Sequence, residues 1–242
     1  VRIGIVSDIH GNLEAFRAVL DAIQPFDQLW CLGDVVGYGP DPAECLELLR
    51  EHRHLCVLGN HDAAVVGQLD LHWFNVTARR AIEWTASQLG PSAIAYLKSL
   101  PEKIEQDKFT LVHGSLRQPL EEYLVSADAA MEHFRLQNTP YCLIGHSHIP
   151  LLFRELVPGR SVSLRQISGN ASIALGRERT ILNPGSVGQP RDGNPWASCA
   201  VLDIERALVE VMRVPYDIPK VQRKIRAAGL PGSLADRLSY GT

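Results

Sequence analysis

Five short segments concentrate the residues of this chain that can bind a cation: Ser7-Asp8-Ile9-His10-Gly11-Asn12, Gly33-Asp34, Gly59-Asn60-His61-Asp62, Val112-His113-Gly114 and Gly145-His146-Ser147-His148. Asp8, Asp34 and Asn60 offer hard oxygens, and His10, His113, His146 and His148 offer imidazole nitrogens. That set is large enough for two adjacent metal ions. Two divalent ions side by side stabilise the attacking and leaving oxygens of an in-line displacement at phosphorus. The expected chemistry is therefore metal-dependent hydrolysis of a phosphoester.

Spacing supports a shared site. Residues two apart in an extended segment point to the same side, so Asp8 and His10 can converge on one ion. Gly11 permits a sharp turn and Asn12 can open the next helix. Asp34 closes the run Trp30-Cys31-Leu32-Gly33, at the kind of strand end where open α/β sheets bind ligands. Its two oxygens can bridge two cations. Asn60 brings an amide carbonyl. His61, the next residue, points elsewhere and is placed to meet the phosphate or protonate the leaving oxygen. Asp62 either orients that imidazole or begins the next helix, and the helix start is the favoured reading. His146 and His148 can converge on one ion or serve one each. Taken singly, each segment also reads as a turn, a helix cap or a surface histidine. Taken together, the segments hold five of the nine histidines, while His52, His54 and His133 are expected to be solvated. Structural zinc sites normally use cysteine. Mixed Asp, Asn and His donors suit Mn, Fe, Zn, Co or Ni with positions left open for water and substrate.

The elements that must position these residues alternate in the first half. Residues 1–7 read as a strand, Leu13 to Ile23 as an amphipathic helix and Gln28 to Leu32 as a short buried run. A helix opens at Asp41-Pro42 and runs to about Arg50, and His54 to Leu58 is a third strand. This βαβαβ order predicts parallel pairing. Residues 74–89 carry apolar side chains at helical spacing, and Gly90-Pro91-Ser92 stops that helix and starts another ending near Pro101. Lys103–Gln106 and Lys108–Val112 read as a hairpin turning at Asp107-Lys108. Asp128 to Gln137 is a helix capped by Ser126 or Asp128, and Tyr141 to Ile144 a buried strand. After Pro150 come short strands at Leu151–Leu156, Ser161–Ile167, Thr180–Asn183, Ser198–Asp203 and Leu208–Val214, then a helix at Ile218–Ala228. A parallel α/β half followed by a β-rich half predicts two sheets packed face to face with helices outside.

Composition narrows the classes. The chain has 242 residues, 45% hydrophobic, with a formal net charge of −3, so there is no global attraction to a nucleic acid polymer or an anionic membrane. The five cysteines form no C-x-x-C pair, and Cys31, Cys56 and Cys142 lie in strand-like runs. They read as buried free thiols of a reducing compartment. The chain opens directly on an apolar run with no secretory pattern, and no run reaches membrane-spanning length; a cytoplasmic location is expected. With no internal repeat or linker, one domain over residues 1–242 is expected.

The five segments, in this order over residues 7–148, resemble the calcineurin-like metallophosphoesterase superfamily, whose pattern is D-x-H, G-D, G-N-H-D/E, a later H and G-H-x-H. The run Asn183-Pro184-Gly185-Ser186-Val187-Gly188-Gln189-Pro190-Arg191 looks like its small bacterial and archaeal phosphodiesterase-type branch. The resemblance implies an α/β fold, a four-layer sandwich of two mixed β-sheets flanked by helices. It implies one metal held by Asp8, His10, Asp34 and His148, and another by Asp34, Asn60, His113 and His146. Asp34 would bridge them together with a hydroxide that attacks phosphorus in line, while His61 stabilises or protonates the departing oxygen. Protein Ser/Thr phosphatases of this superfamily read G-D-x-V-D-R-G. Here Gly37 and Tyr38 replace the last Asp and Arg. That weakens a protein-phosphatase reading and a symmetrical dinucleoside-tetraphosphatase reading, and Tyr38 is expected to line the pocket instead.

The expected substrate contacts are Asn60, His61, Tyr38 and Arg191, the last by bidentate phosphate binding. His72, Asn75, Arg79 and Asp192 are weaker pocket candidates, and the Asn183–Ser186 loop is expected to close one wall. The leading function is hydrolysis of small phosphodiesters, with monoesters as a variant. A nucleotide pyrophosphohydrolase is the alternative. A non-catalytic scaffold is disfavoured because no ligand of the pattern is missing. The expected partner is a small phosphorylated substrate, and the sequence sets no oligomeric state.

Overall fold

The computed structural model describes residues 1–242. β1 (Arg2–Val6), β2 (Gln28–Cys31) and β3 (His54–Cys56) pair in parallel, with Ile3 opposite Gln28 and Leu29 opposite His54. Helices α1 (Leu13–Ile23) and α2 (Pro42–Arg50) connect them. Asn12 caps α1 by accepting from Ala15 N at 3.1 Å, and Pro42 occupies the first turn of α2, where its missing N–H costs nothing. Leu13, Phe16, Leu20 and Ile23 of α1 are buried at spacings of three and four, the stripe a helix needs to cover a sheet.

α3 (Asn60–Val65), α4 (Val76–Gln88) and α5 (Pro91–Ser99) lead to a hairpin of β4 (Lys103–Gln106) and β5 (Phe109–Val112). It turns at Asp107, whose φ is +52°. α6 (Ala127–Leu136), capped by Ser126, precedes β6 (Tyr141–Leu143). Then follow β7 (Pro150–Val157), β8 (Ser161–Gln166), β9 (Ala171–Ala174), β10 (Thr180–Pro184), β11 (Ala197–Asp203) and β12 (Leu208–Val214), with α7 (Ile218–Ala227) and α8 (Gly232–Asp236) last. One six-stranded sheet runs β3-β2-β1-β11-β12-β9, the other β4-β5-β6-β10-β7-β8. Both mix parallel and antiparallel pairs.

The period-2 pleat divides the side chains between layers. Ile3, Ile5, Trp30 and Leu32 join Leu111, Leu143, Leu152 and Leu182 in a core between the sheets. Val6 and Cys31 instead face a larger cluster with α1, α2, α4 and α7. Ala130 and Phe134 of α6 pack with Val112, Cys142, Phe153 and Ile181 on the far side of the second sheet. The result is the expected four-layer α/β sandwich. No helix is long and apolar enough to cross a membrane. All five cysteines are buried and unpaired.

Two elements were not visible in the sequence. β9 is an edge strand with only Ile173 buried, and α8 has five residues, too few for a helical period. His133 corrects the expectation of a solvated ring. It is buried on α6, where Nδ1 accepts from Leu116 N at 3.2 Å. His54 is half-buried and hydrogen-bonded to the Tyr96 hydroxyl at 2.8 Å, and half-buried His52 lies against the Phe26 ring.

Candidate metal centre

The ends of β1, β2, β3, β5 and β6 deliver the five segments to one rim. Asp8 N donates to Gly33 O at 3.0 Å and His10 N to Asp34 O at 2.9 Å, locking the first two segments together. Gly145 N donates to His113 O at 2.7 Å and ties the last two. Gly59 passes so close to Asp34 that a Cβ there would collide with its carboxylate, which explains glycine at that position. Asp8, His10, Asp34, Tyr38, His146 and His148 all have left-handed backbone, with φ between 49° and 65°. Such conformations cost side-chain-bearing residues about 1–3 kcal/mol each and cluster at functional sites.

Two donor groups result. In one, ligand atoms of Asp8, His10, Asp34 and His148 lie within 4.8 Å of one another; in the other, those of Asp34, His113 and His146 do so. Asp34 belongs to both. His113 Nε2 is 3.0 Å from Asn60 Oδ1, which brings the amide oxygen to the second group. The outer nitrogens are already committed. His10 Nδ1 donates to Val36 O at 3.1 Å, His113 Nδ1 to Leu32 O at 2.7 Å, His148 Nδ1 to Gln189 O at 2.6 Å and His146 Nε2 to Glu121 O at 3.3 Å. A carbonyl only accepts, so in a neutral ring the inner nitrogen keeps its lone pair. This backbone support is typical of metal-binding histidines.

Electrostatics agree. Burial pushes the rings of His10 and His148 down and that of His146 down to about 3, leaving them neutral. Burial pushes the Asp34 carboxyl up, but the neighbouring His113, by its charge and by hydrogen bonding, outweighs that and holds the group well below the usual carboxylate range. Asp8 is also held below the usual carboxylate range against its burial, where the His148 ring approaches its Oδ1 to 3.2 Å. Burial also opposes a charge on His113, yet Asp34 raises that ring to about 10. Asp8 Oδ1 and Asp34 Oδ2 are buried without a hydrogen bond. Orphaned carboxylate oxygens facing imidazole lone pairs fit divalent cations, and unpaired they would be costly.

The remaining candidates divide. His61 is buried, and its backbone N–H donates to Asp34 Oδ1 at 2.8 Å. Asp62 does not orient the His61 ring; in the first turn of α3, it accepts from Val35, Val36 and Gly59 N–H groups at 3.1–3.3 Å. Tyr38 packs its ring 4.3 Å from that of His61, and Arg191 lies over Tyr38 at 5.8 Å. Asn75 caps α4 and lines the pocket. His72 is exposed and bound to Asp70 at 2.7 Å, Arg79 is half-buried without a side-chain partner, and Asp192 pairs with buried Arg213. Asn183–Ser186, expected to close one wall, is a buried segment that braces the donor segments, and Gly188 and Gln189 beyond it line a small cavity with His10 and Tyr38. Asn183 donates to Gly145 O at 2.6 Å and to Ser147 Oγ at 3.0 Å, and Ser186 Oγ donates to Asp8 O at 2.8 Å. The sequence reading missed Trp73, Phe74, Glu121 and Tyr123, which line a cavity opening onto Asn60, His61 and His146, and Arg237, which lines a neighbouring one with Tyr38. Phe74 falls at the start of the stretch read as a helix, and the others come from loops and short turns, where no periodicity marks them.

Comparison with known proteins places this geometry among relatives. Residues 1–207 match the family model described as the calcineurin-like phosphoesterase superfamily domain. A metallophosphoesterase from Sphaerobacter thermophilus is 43% identical and superposes with a TM-score of 0.92 over 100% of this chain and 99% of its own. An uncharacterized protein of Methanocaldococcus jannaschii is 38% identical over 252 residues, spanning 99% of this chain and 98% of that protein. A symmetrical bis(5'-nucleosyl)-tetraphosphatase of Pseudomonas putida is 38% identical over 76 residues, 29% of this chain and 25% of that enzyme.

Proposed function

This chain belongs to the calcineurin-like phosphoesterase superfamily, and from that membership we propose that it is a dinuclear metal-dependent phosphoesterase acting on small phosphodiesters. The observation that carries the proposal is Asp34, a member of both donor groups with one oxygen left orphaned. Asp8, His10, Asp34 and His148 would hold one cation, and Asp34, Asn60, His113 and His146 the other. When bound, the two ions supply Lewis-acid charge to the phosphoryl oxygens and lower the proton affinity of a water for in-line displacement.

The chain's own residues do the rest. His61 and Tyr38 adjoin at the mouth of the site, where His61 offers an N–H to a phosphoryl or leaving oxygen. Arg191 Nε has no partner within the chain, which supports a role in gripping a non-bridging oxygen. Burial of the donors keeps water away from all but the reacting face. The complete donor set argues for catalysis over a scaffold. A nucleotide phosphoanhydride is the second reading, supported by the partial likeness to the tetraphosphatase and weakened by Gly37 and Tyr38.

The test is turnover of bis-p-nitrophenyl phosphate, p-nitrophenyl phosphate and a dinucleoside polyphosphate panel by protein stripped with chelator and reloaded with Mn, Ni or Zn. The diester is expected to turn over fastest and only after reloading. Asp34→Asn and His113→Ala are expected to abolish turnover. Activity indifferent to chelation, or retained in both variants, would defeat the proposal.

A further inference from the structure

Next to the donor groups lies a cavity of about 190 Å³. Buried Asn60, His61 and His146 line it together with Trp73 and Tyr123, which are 70% and 53% exposed. Large apolar side chains gathered at the mouth of a polar site mark a binding surface more often than chance. Tyr123 stacks on the His146 ring, with centroids 3.9 Å apart and planes at 22°. Trp73 closes a 3-10 turn whose start is fixed by Asp70 accepting from His72 N at 2.9 Å, and Asn75 then caps α4. The backbone beneath the indole is anchored while its face stays in solvent.

Polar groups complete the lining. The Asn75 Oδ1 atom is used on Ala78 N, and its amide N–H groups have no partner in the chain. Glu121 also lines the cavity, and its carboxylate makes no hydrogen bond or ion pair. Aromatic faces, free amide donors and a free carboxylate acceptor together suit a planar ring with hydrogen-bonding edges. A purely aliphatic group would use none of them. The volume suits one ring system, being below the range of about 300–1,000 Å³ for drug-sized ligands.

We propose that this cavity is a nucleobase subsite, in which Trp73 and Tyr123 stack on the base and Asn75 and Glu121 meet its edge, so that the substrate carries a nucleoside on the phosphoryl group held at His61. The inference deepens the phosphoesterase function proposed above and rests on it.

The methyl esters of adenosine 5'-monophosphate and of ribose 5-phosphate differ in carrying adenine or a hydroxyl at C1', and the ratio of their kcat/KM values reads the subsite. The starting protein is expected to favour the adenosine ester, and Trp73→Ala and Tyr123→Ala to lower the ratio by about tenfold, mainly through KM, as expected for one lost stacking contact. Trp73→Phe should recover most of it. Independently of turnover, adenosine 5'-monophosphate should quench tryptophan emission, and the quench should vanish in Trp73→Phe. A ratio that falls by less than threefold in both alanine variants overturns the subsite. If neither ester is cleaved by metal-loaded protein, the phosphodiesterase function fails, and the quenching titration alone decides whether the base binds.

Discussion

His61 is the residue whose role depends most on its surroundings. Burial pushes its ring down to about 4 against the pull of Asp34, with Arg191 adding to the effect. At neutral pH it is an uncharged imidazole with one N–H to give. Its Nδ1 is buried without a partner, and a Cβ at position 37 would lie 2.5 Å from that atom. Gly37, where protein Ser/Thr phosphatases of the superfamily carry aspartate, therefore packs directly against the ring, and no carboxylate orients it. Tyr38, His10 and Phe74 hold it by their edges instead, at 4.3, 4.9 and 5.1 Å between centroids. In the proposed reaction its contribution would be a preorganised hydrogen bond, and His61→Ala should lower kcat by about 10²–10³-fold, the usual loss for one such donor. Metal content by elemental analysis should stay at the starting value; a fall in bound metal would instead make His61 a ligand.

At the level of elements, the start of α3 is the joint between two donor segments. Asp62 accepts one N–H from its own helix cap, Gly59, and two from Val35 and Val36 just past Asp34. Burial and the charge of Asp34 raise its carboxyl to about 7, so the three donors stabilise a group that would otherwise resist ionising. Asp62→Ala leaves those buried N–H groups unpaired, at about 1–3 kcal/mol in stability. It should also weaken metal binding by about 10–100-fold, the usual effect of losing support behind the ligands. Thermal melts and metal titration would measure the two losses, with Asp62→Asn falling between. Unchanged metal affinity in Asp62→Ala would mean the segments hold their spacing without the clamp.

Across the whole molecule, stability should carry the signature of a histidine that belongs to neither donor group. Burial pushes His133 down to about 4, so the unfolded chain takes up a proton that the folded chain refuses. Folding stability should therefore be full above pH 6.5 and fall as the pH drops toward 4, by on the order of 3 kcal/mol from this group. His133→Gln should flatten that part of a Tm-versus-pH curve relative to the starting protein; parallel curves would contradict it. The same residue shows where a linear reading stops. Ala130, His133 and Phe134 share one face of α6, and their spacing of three and four marked the burial, but a polar ring was read by type rather than by place. The parallel strands and their ends were legible because apolar runs stop abruptly at Asp8, Asp34, Asn60, His113 and His146. The mixed sheets were legible as layers but not as strand order, since β11 beside β1 is a pairing across most of the chain. Trp73, Tyr123 and Arg237 were invisible because only tertiary folding brings distant loops to one opening.

The left-handed turns at Asp8, His10, Asp34, His146 and His148 have one more consequence. Backbone hydrogen bonds tie Asp8 to Gly33, His10 to Asp34 and His148 to Arg191, so these segments resist spreading or shrinking around an incoming ion. A rigid nest discriminates by ionic size and preferred coordination geometry rather than by adapting. Cations that demand other spacings would bind poorly however abundant they are.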